Sequence, residues 1–257
     1  MVNSIEWNAE IYHRISNPQF EWGLKVLARC ELRGDEHVMD AGCGTGRLTA
    51  ALLERLPQGR VTAVDLSSNM LESARQSLQP SFGKRVRFAQ ADLGRLAFDE
   101  EFDGIFSTAA FHWVKDHAAL FRGLFRALDP GGWLEAQCGG GPNLARIRVM
   151  ANRFMDSSEI RPFFANWEEP WEYADAETTK RRMEEAGFAK VETWLEPAPL
   201  ELASEDAYRE YLASIVFHRH LAPLPQHYKG KFLDAIVGEG HRQLDYWRLN
   251  LRGKKPA

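Results

Sequence analysis

Short apolar runs alternate with amphipathic segments along the first 140 residues of the chain. After Asp65, apolar residues recur at Leu71, Ala74 and Leu78, which is the spacing of one face of a helix. Short apolar runs, each predicted to be a strand, lie at residues 37–39, 60–64, 85–90, 102–107 and 133–136. Strands that alternate with helices form parallel sheets through right-handed crossovers. The pattern therefore predicts an α/β fold built on a parallel sheet.

The regular alternation ends after about residue 140. Apolar runs at 189–195 and 244–251 predict two further strands. Segments with helical character lie at residues 143–155, 178–187, 205–221 and 226–242. We assign part of this region to a helical cap over the carboxyl edge of the sheet, where insertions commonly shape substrate pockets. Residues 253–257 are expected to form a frayed tail.

Length and composition indicate one globular domain. The chain has 257 residues, of which 44% are hydrophobic and 26% are charged, so it can bury a substantial core. We expect a single domain spanning 1–257, with N-terminal cap helices in residues 1–34, a ligand-binding core in residues 35–140, and the remaining strands with the helical cap in residues 141–257.

Charge and cysteine content narrow the classes of partner. The net charge of −4 and the isoelectric point near 6.1 give no broad basic surface, so a nucleic-acid partner is not expected. No basic segment followed by an apolar one opens the sequence, and no run of about 18 residues is apolar throughout, so we expect a cytoplasmic monomer or homodimer without a membrane partner. Cys30, Cys43 and Cys138 are widely spaced, which predicts buried thiols, with neither a disulfide framework nor a metal site.

A glycine-rich loop connects the first predicted strand to a helix. Residues 40–46 read Asp-Ala-Gly-Cys-Gly-Thr-Gly and precede the amphipathic segment 47–56. Glycine lets the backbone approach a ligand, and the start of a helix supplies N–H donors. A dinucleotide fingerprint would place its third glycine at position 47, where the chain has Arg47, and this weakens the prediction of an NAD site. Taken alone, the glycines could serve only a tight turn.

Acidic residues follow the next two predicted strands. Asp65 ends the second apolar run, nineteen residues beyond Gly46, close to where a nucleotide-binding βαβ unit presents an acid to ribose hydroxyls. Asp92 follows the third run. Either acid alone could be a helix cap. Because both follow candidate parallel strands, we expect them to meet the glycine loop at the ligand-binding edge of the sheet.

This order of motifs resembles the class I S-adenosylmethionine (SAM) dependent methyltransferases over residues 35–140. The resemblance implies a Rossmann-like fold: a seven-stranded, mostly parallel sheet with helices on both faces and a helical cap. It also implies SAM as the cofactor, with Asp65 binding the ribose, Asp92 binding the adenine amino group, and Leu66 or Leu93 stacking on the adenine. The SAM-binding residues that it implies are Tyr12, Asp40, Gly42, Cys43, Gly44, Gly46, Asp65, Leu66, Met70, Asp92, Leu93, Ser107 and Phe111.

Two segments resemble the trans-aconitate methyltransferases and related small-molecule carboxyl O-methyltransferases more closely. They are residues 7–12 with Gln19, and residues 111–117 after the fourth strand. The resemblance implies transfer of the SAM methyl group to a carboxylate of a small acid, which Gln19 and Trp113 would hold, while Tyr12 would contact the methionine end of SAM. The residues themselves leave alternatives open: Trp113 could close the core, and Tyr12 and Gln19 could cap an N-terminal helix.

The predicted cap contains basic residues whose roles the sequence leaves open. Arg146 and Arg153 could bind further substrate carboxylates or form a solvated helix face. The cluster His218-Arg219-His220 could line an anionic pocket or lie in solvent.

Three functions fit the sequence. The first is carboxyl O-methylation of a small molecule, which needs no general base because a carboxylate is already ionised at pH 7. His112 would then line the pocket or support a residue that does. The second is methylation of a hydroxyl, amine or carbon, for which His112 is the first candidate base. A flat pH–rate profile from about pH 6 to 8 is expected for the first and a rising limb for the second. The third, more remote, is a SAM-binding protein without catalysis.

Overall fold

The computed structural model describes residues 9–238 and 242–257, with only the backbone of residues 11–13. Two parts of the predicted site motif, the start of the 7–12 segment and the side chain of Tyr12, lie outside the described residues. The same holds for the last residues of the helix predicted at 226–242. Tyr12 therefore stays a prediction.

The described residues form nine strands and ten α-helices. The strands are β1 (His37–Ala41), β2 (Arg60–Asp65), β3 (Val86–Gln90), β4 (Phe102–Thr108), β5 (Leu128–Gly139), β6 (Ala189–Pro197), β7 (Leu200–Glu201), β8 (Gln243–Leu244) and β9 (Trp247–Lys254). The helices are α1 (Ala9–Ile15), α2 (Asn17–Arg29), α3 (Arg47–Glu54), α4 (Ser68–Phe82), α5 (His117–Ala127), α6 (Ala145–Met155), α7 (Ala176–Glu185), α8 (Glu205–Tyr211), α9 (His218–Leu221) and α10 (Gln226–Val237). A stretch of π-helix, Leu212–Val216, separates α8 from α9.

Seven strands form one sheet in the order β3-β2-β1-β4-β5-β9-β6. The pairs β1–β2, β2–β3, β1–β4 and β4–β5 are parallel, and β9 is antiparallel to β5. The chain order reverses between β1 and β4, and open α/β sheets bind ligands outside the carboxyl ends of the strands at such a reversal. The sheet is the seven-stranded, mostly parallel one that the sequence predicts.

Alternate residues of the central strands belong to two separate apolar cores. In β1, Val38 lies in one core and its neighbour Met39 in the other. Helices α2, α3 and α4 contribute to the Val38 core, for example through Leu52 of α3, and α5 and α7 contribute to the Met39 core, for example through Leu124 of α5. Both faces are therefore covered by helices, which agrees with the near-continuous apolar character of β1 and β2.

The C-terminal residues belong to the sheet, so the predicted frayed tail is wrong. Lys254, the last residue of β9, pairs with Trp133 of β5. The backbone N–H of Lys255 donates to the carbonyl oxygen of Gly132 at 2.8 Å, and Lys255 Nζ donates to that of Leu128 at 2.8 Å. These hydrogen bonds join residues more than 100 positions apart, and no local sequence pattern reveals them.

Two predicted strand boundaries also need correction. Leu244 does not belong to the last strand of the large sheet, because it pairs with Leu200 in a separate two-stranded sheet formed by β7 and β8. Strand β5 begins at Leu128, before the predicted stop at 129–132, and the register against β4 shifts between Phe102 and Gly104. The irregular pairing accommodates the Pro-Gly-Gly sequence inside the strand.

The described chain divides into two compact units. The first contains the described residues up to Gly141, together with Trp171–Glu196 and Arg248–Ala257, and so includes the large sheet. The second contains Pro142–Pro170 and Pro197–Trp247. In the second unit the rings of Phe154 and Phe217 pack edge-on against Phe232. The single domain and the substrate cap stay predictions.

The structure also describes the cysteines, the length and apolar character of the helices, and the grouping of side chains that could bind a metal ion. Cys30, Cys43 and Cys138 are buried free thiols, as the sequence predicts. Within the described helices, none combines the length and apolar character needed to cross a membrane. Among the side chains that the structure describes, no three of His, Cys, Asp or Glu are grouped to hold a metal ion. The cytoplasmic location stays a prediction.

Candidate functional site

The glycine loop between β1 and α3 has a backbone that other residues rarely adopt. Gly42, Gly44 and Gly46 have φ values of +84°, +55° and +84°. A Cβ on Gly42 would lie 2.3 Å from the Cβ of Ala110, which no real pair of carbons tolerates. A Cβ on Gly44 would meet nothing within 4 Å, so it would project into open space. Gly42 is required by close packing, whereas Gly44 keeps space open beside the loop.

Asp65, the last residue of β2, ties the glycine loop to that strand. Its Oδ2 accepts a hydrogen bond from the backbone N–H of Gly44 at 2.9 Å, and its Oδ1 accepts one from the N–H of Ser67 at 2.9 Å. Ser67 in turn caps α4, since its Oγ accepts from the N–H of Met70 at 3.3 Å. A carboxylate has about four acceptor positions, and the two backbone bonds fix its orientation at the sheet edge.

Two clefts adjoin the glycine loop, and both lie in the first unit. The larger has a volume of about 820 Å³ including its open mouth, which is within the range of small-molecule sites. The smaller measures about 440 Å³ on the same basis. Both are lined by Gly42, Gly44, Thr108 and Ala109, so they meet at the loop.

The larger cleft brings together most of the residues predicted to bind the nucleoside part of SAM. Asp65, Leu66, Met70, Asp92 and Leu93 all line it. Asp92 also caps the short helix that follows β3, because its Oδ1 accepts from the N–H of Gly94 at 2.9 Å. Capping and ligand binding, which are alternatives from sequence alone, are therefore compatible at this position.

The smaller cleft contains Asp40, Cys43 and the predicted acceptor-binding residue Gln19. Asp40 is 2% exposed, and the Thr49 hydroxyl donates to its Oδ2 at 2.6 Å. Burial raises the pKa of the Asp40 carboxyl to about 7, and the nearby charge of Asp65 acts in the same direction. Burial likewise raises the pKa of the Cys43 thiol well above its usual value, so this thiol stays protonated.

Trp113 lines the larger cleft and stands in an aromatic cluster. It lies with His112 in the short helix Phe111–Trp113 after β4. The Trp113 ring is 6.1 Å from that of Trp171, which stacks on Tyr173 at 5.4 Å, and Tyr173 is 5.7 Å from His112. Sequence reasoning missed Trp171 and Tyr173, because they follow an irregular segment. Trp171 and Tyr173 are aromatic residues two positions apart, directly before Asp175, the N-cap residue of α7. This spacing is the sequence signal that could have identified them.

His112 is 8% exposed, and it is not among the residues that line the two clefts. The backbone N–H of Gly139 donates to its Nδ1 at 3.2 Å. Burial, with the charge of Arg248 and the ring of His117, holds the pKa of His112 well below its ordinary value. The ring is therefore neutral at pH 7.

Three predicted SAM-binding residues are not brought to either described cleft. Gly46 is the N-cap residue of α3, and a Cβ there would meet Leu78 at 2.8 Å. The Ser107 hydroxyl donates to the carbonyl oxygen of Ala41 at 2.6 Å, beneath the loop. Phe111 is 1% exposed and belongs to the Met39 core. These three residues therefore make packing or backbone contacts at the ends of strands and helices, and they do not line either cleft.

The clefts also include residues that the sequence did not single out. Ala109 lines both clefts with φ of +55°, which is unusual for a residue with a side chain. Arg47 lines the smaller cleft, with its guanidinium 4.2 Å from the centre of the Phe20 ring, another lining residue. The signal for Arg47 is its position as the first residue of α3, directly after the glycine loop.

Some of the basic residues of the second unit are held by hydrogen bonds or burial, and others are exposed. The N–H of Arg146 donates to Asp245 Oδ2 at 3.0 Å and its side chain to the carbonyl oxygen of Gln243 at 2.5 Å, whereas Arg153 is exposed. His220 is 1% exposed, 4.6 Å from the Trp167 ring, so it does not lie in solvent.

The residues that line the larger cleft suit a nucleoside. Asp65 and Asp92 offer carboxylate acceptors for hydroxyl and amino groups, and Leu66, Met70 and Leu93 offer apolar surface for a base. The space beside Gly44 is open, and a side chain at position 44 would project into it. The carboxylate acceptors, the apolar surface and the shape of the loop therefore agree with SAM.

Comparison with known proteins identifies relatives along the whole chain. Residues 38–132 match the Methyltransf_25 family model, described as a methyltransferase domain. The trans-aconitate 2-methyltransferase of Acidovorax sp. (strain JS42) is 30% identical, over 95% of this chain and 96% of that protein. The protein of the same name from Methylobacterium radiotolerans is 31% identical, over 98% of this chain and 99% of that protein.

Solved structures share the fold. Haemonchus contortus phosphoethanolamine N-methyltransferase 2, in complex with S-adenosyl-L-methionine, superposes with a TM-score of 0.63 at 20% identity, over 97% of this chain and 57% of that one. The YcgJ protein of Bacillus subtilis superposes with a TM-score of 0.64 at 19% identity, over 93% of this chain and 99% of that one.

Proposed function

The chain belongs to the family of the trans-aconitate 2-methyltransferases and is a SAM-dependent methyltransferase of small molecules, and on this premise we propose that it methylates a carboxylate oxygen of a small organic acid. The relatives that cover nearly the whole chain are named for an acid substrate. Trans-aconitate is therefore the first acid to test.

The observation that carries this proposal is the chemistry of the residues that line the clefts. Asp65 and Asp92 accept backbone hydrogen bonds, and Asp40 is almost fully buried against Thr49. Cys43 is a protonated thiol. The described residues that line the two clefts include no histidine or lysine, the usual general bases for a hydroxyl or amine acceptor. A carboxylate acceptor needs none, because its ordinary pKa near 4 leaves it ionised at pH 7.

The residues of the larger cleft are proposed to bind the nucleoside. Asp65 would accept hydrogen bonds from the ribose hydroxyls, and Asp92 would accept one from the adenine amino group. Leu66, Leu93 and Met70 would offer apolar surface to the adenine. When bound, SAM supplies a methyl group already activated by its sulfonium.

Gln19 and Trp113 are proposed to orient the acceptor carboxylate. The amide NH₂ of Gln19 and the indole N–H of Trp113 are uncharged donors, which can hold a carboxylate without trapping it in an ion pair. Methyl transfer requires the acceptor oxygen in line with the methyl–sulfur bond at about 3 to 3.5 Å, and such positioning can supply much of the rate. The two residues line neighbouring clefts that meet at the glycine loop.

A panel of metabolites with SAM labelled in its methyl group tests the proposal. It contains mono-, di- and tricarboxylic acids, with trans-aconitate first, and matched alcohols and amines. A methyl ester is distinguished from a methyl ether or amine because alkali hydrolyses the ester and releases labelled methanol. Alkali-labile label on an acid is the expected result, and stable label on an alcohol or amine would contradict the proposal.

A further inference from the structure

The short helix that carries His112 is held by contacts from several elements. His117 Nε2–H, from α5, donates to the carbonyl oxygen of Phe111 at 3.0 Å. The N–H of Glu172 donates to the carbonyl oxygen of His112 at 2.9 Å. The N–H of Trp113 donates to the carbonyl oxygen of Ala110 at 2.9 Å. The backbone of His112 is therefore fixed next to Trp113, which lines the larger cleft.

A single hydrogen bond sets the tautomer of His112. The N–H of Gly139 donates to Nδ1 at 3.2 Å, and a backbone N–H can only donate, so Nδ1 is the nitrogen without a proton. A neutral imidazole has one N–H, which must then be at Nε2. Among the side chains and backbone groups that the structure describes, Nε2 has no hydrogen-bond partner, although the atom is not sealed in the core.

The groups around His112 keep the ring neutral. Burial holds the pKa of His112 well below its ordinary value, and Arg248 of β9 and His117 of α5 act in the same direction by disfavouring a positive charge on the ring. A base of such low pKa would be weak, and its acceptor nitrogen is already used by Gly139. The local geometry therefore argues against His112 as the general base of the second hypothesis.

We propose that His112 is an uncharged hydrogen-bond donor, through Nε2–H, to an oxygen of the methyl acceptor. The donor role rests on the proposed function, because an ionised carboxylate offers lone pairs to more than one donor. The rings of Trp113 and Tyr173, at 5.2 and 5.7 Å, flank the imidazole and restrict its orientation. The positive charge of Arg248 near the ring favours an anion at this point. His112 thus adds a third neutral donor to Gln19 and Trp113.

This arrangement changes which experiment separates donor from base. Because burial holds the pKa of His112 well below its ordinary value, the ring is expected to be neutral near pH 7 in either role, so a flat pH–rate profile no longer decides between them. Substitutions do decide. In His112→Gln the side-chain amide keeps an N–H donor but has no group basic enough to take a proton, whereas His112→Phe keeps the bulk of the ring and removes the donor.

The kinetic test uses both variants with trans-aconitate, or with the acid that the metabolite panel identifies. His112→Phe is expected to lower kcat/KM for the acceptor by about tenfold or more, with SAM affinity unchanged within about threefold. His112→Gln is expected to recover most of that loss, which a base could not do. His227→Phe, at an exposed histidine of α10, is the matched control and is expected to turn over normally.

Nitrogen NMR of histidine-labelled enzyme reads the tautomer without activity. The His112 signals, assigned by their loss in His112→Phe, are expected to be those of a neutral Nε2–H ring from pH 6 to 8. The Nε2–H proton is expected to shift when trans-aconitate is added with S-adenosylhomocysteine. A charged ring, an Nδ1–H tautomer, or an Nε2–H proton that ignores a saturating acceptor would each overturn the donor role.

The two proposals fail in different ways. Normal turnover of an acid by His112→Phe would overturn the donor role and leave carboxyl methylation standing. If the panel instead shows an alcohol or amine as acceptor, carboxyl methylation fails, and the same variants and NMR measurements with that acceptor still decide the role of His112.

Discussion

The carboxylate of Asp65 accepts a hydrogen bond from the backbone N–H of Gly44 at 2.9 Å, so the end of β2 and the glycine loop hold each other in place. The same carboxylate accepts from Ser67, whose hydroxyl caps α4. One side chain thus organises three backbone segments at the carboxyl edge of the sheet. Its proposed role toward the ribose depends on this orientation, because a carboxylate that is fixed before binding loses little freedom when the ligand arrives.

Asp65→Ala is expected to abolish useful SAM affinity in a protein that stays folded. The change removes one or two charge-assisted hydrogen bonds, each contributing about 1.5 to 3 kcal/mol. Calorimetry of SAM binding measures the loss, and circular dichroism confirms the fold. Asp65→Asn, which keeps the shape and one acceptor oxygen, is expected to lie between wild type and Asp65→Ala. Unchanged affinity in folded Asp65→Ala would refute the ribose assignment.

Asp92→Ala is expected to weaken SAM binding less than Asp65→Ala does. Only the proposed hydrogen bond to the adenine amino group would be lost, and stacking of the adenine on Leu66 or Leu93 would persist. Loss of the cap to Gly94 should also lower the free energy of unfolding by about 0.5 to 2 kcal/mol. Parallel calorimetric titrations and urea unfolding give both quantities. If Asp92→Ala damaged affinity more than Asp65→Ala, the two roles would be interchanged.

Gly44→Ala and Gly83→Ala form a matched pair. Their φ values, +55° and +53°, are nearly equal, and a Cβ at either position meets nothing within 4 Å. Both substitutions should therefore lower the free energy of unfolding, by about 1 to 3 kcal/mol, because a residue with a side chain is strained at either positive φ. Only Gly44→Ala should reduce SAM affinity, because its Cβ enters the space beside the loop. Equal SAM affinity in the two variants would mean that this space is not part of the cofactor site.

The sequence predicts the site best where position along a strand determines it. Asp65 follows an apolar run whose end must lie at the sheet edge, so its place beside Gly44 follows from the parallel fold. Leu66 and Leu93 reach the larger cleft for the same reason. Local periodicity and turn chemistry are enough for such residues.

Features that depend on distant pairing were not predictable in this way. The tail at Lys255 is held by β5, and Tyr173 reaches His112 from a segment some 60 residues further along the chain. The tautomer of His112 depends on Gly139, which no motif connects to it. These contacts depend on the order of the strands in the sheet and on how distant parts of the chain meet. The local pattern of apolar and polar residues carries no information about either.

The buried carboxyl of Asp40 gives a pH dependence of stability. Its pKa is raised to about 7 in the folded protein, so between the unfolded value near 4 and about pH 7 the folded state binds a proton that the unfolded state does not. Stability is therefore expected to fall as pH rises through this window, by up to about 1.4 kcal/mol per pH unit. Urea unfolding of wild type and Asp40→Asn at pH 5 and pH 8 measures the effect. The fall should be smaller in Asp40→Asn; an identical dependence would assign it to other groups.

Gln19→Ala and Trp113→Phe are each expected to lower methyl-transfer turnover by about tenfold or more, while SAM affinity stays within a few-fold of wild type. A tenfold loss corresponds to about 1.4 kcal/mol of lost positioning. Trp113→Phe is the sharper probe, because it keeps most of the aromatic contact with Trp171 and removes only the indole N–H donor. The losses should be sub-additive in the double variant, because both side chains act on one bound carboxylate. Unimpaired turnover of Trp113→Phe at saturating acceptor would make Trp113 a packing residue, and the carboxylate would then need a different donor at this edge of the cleft.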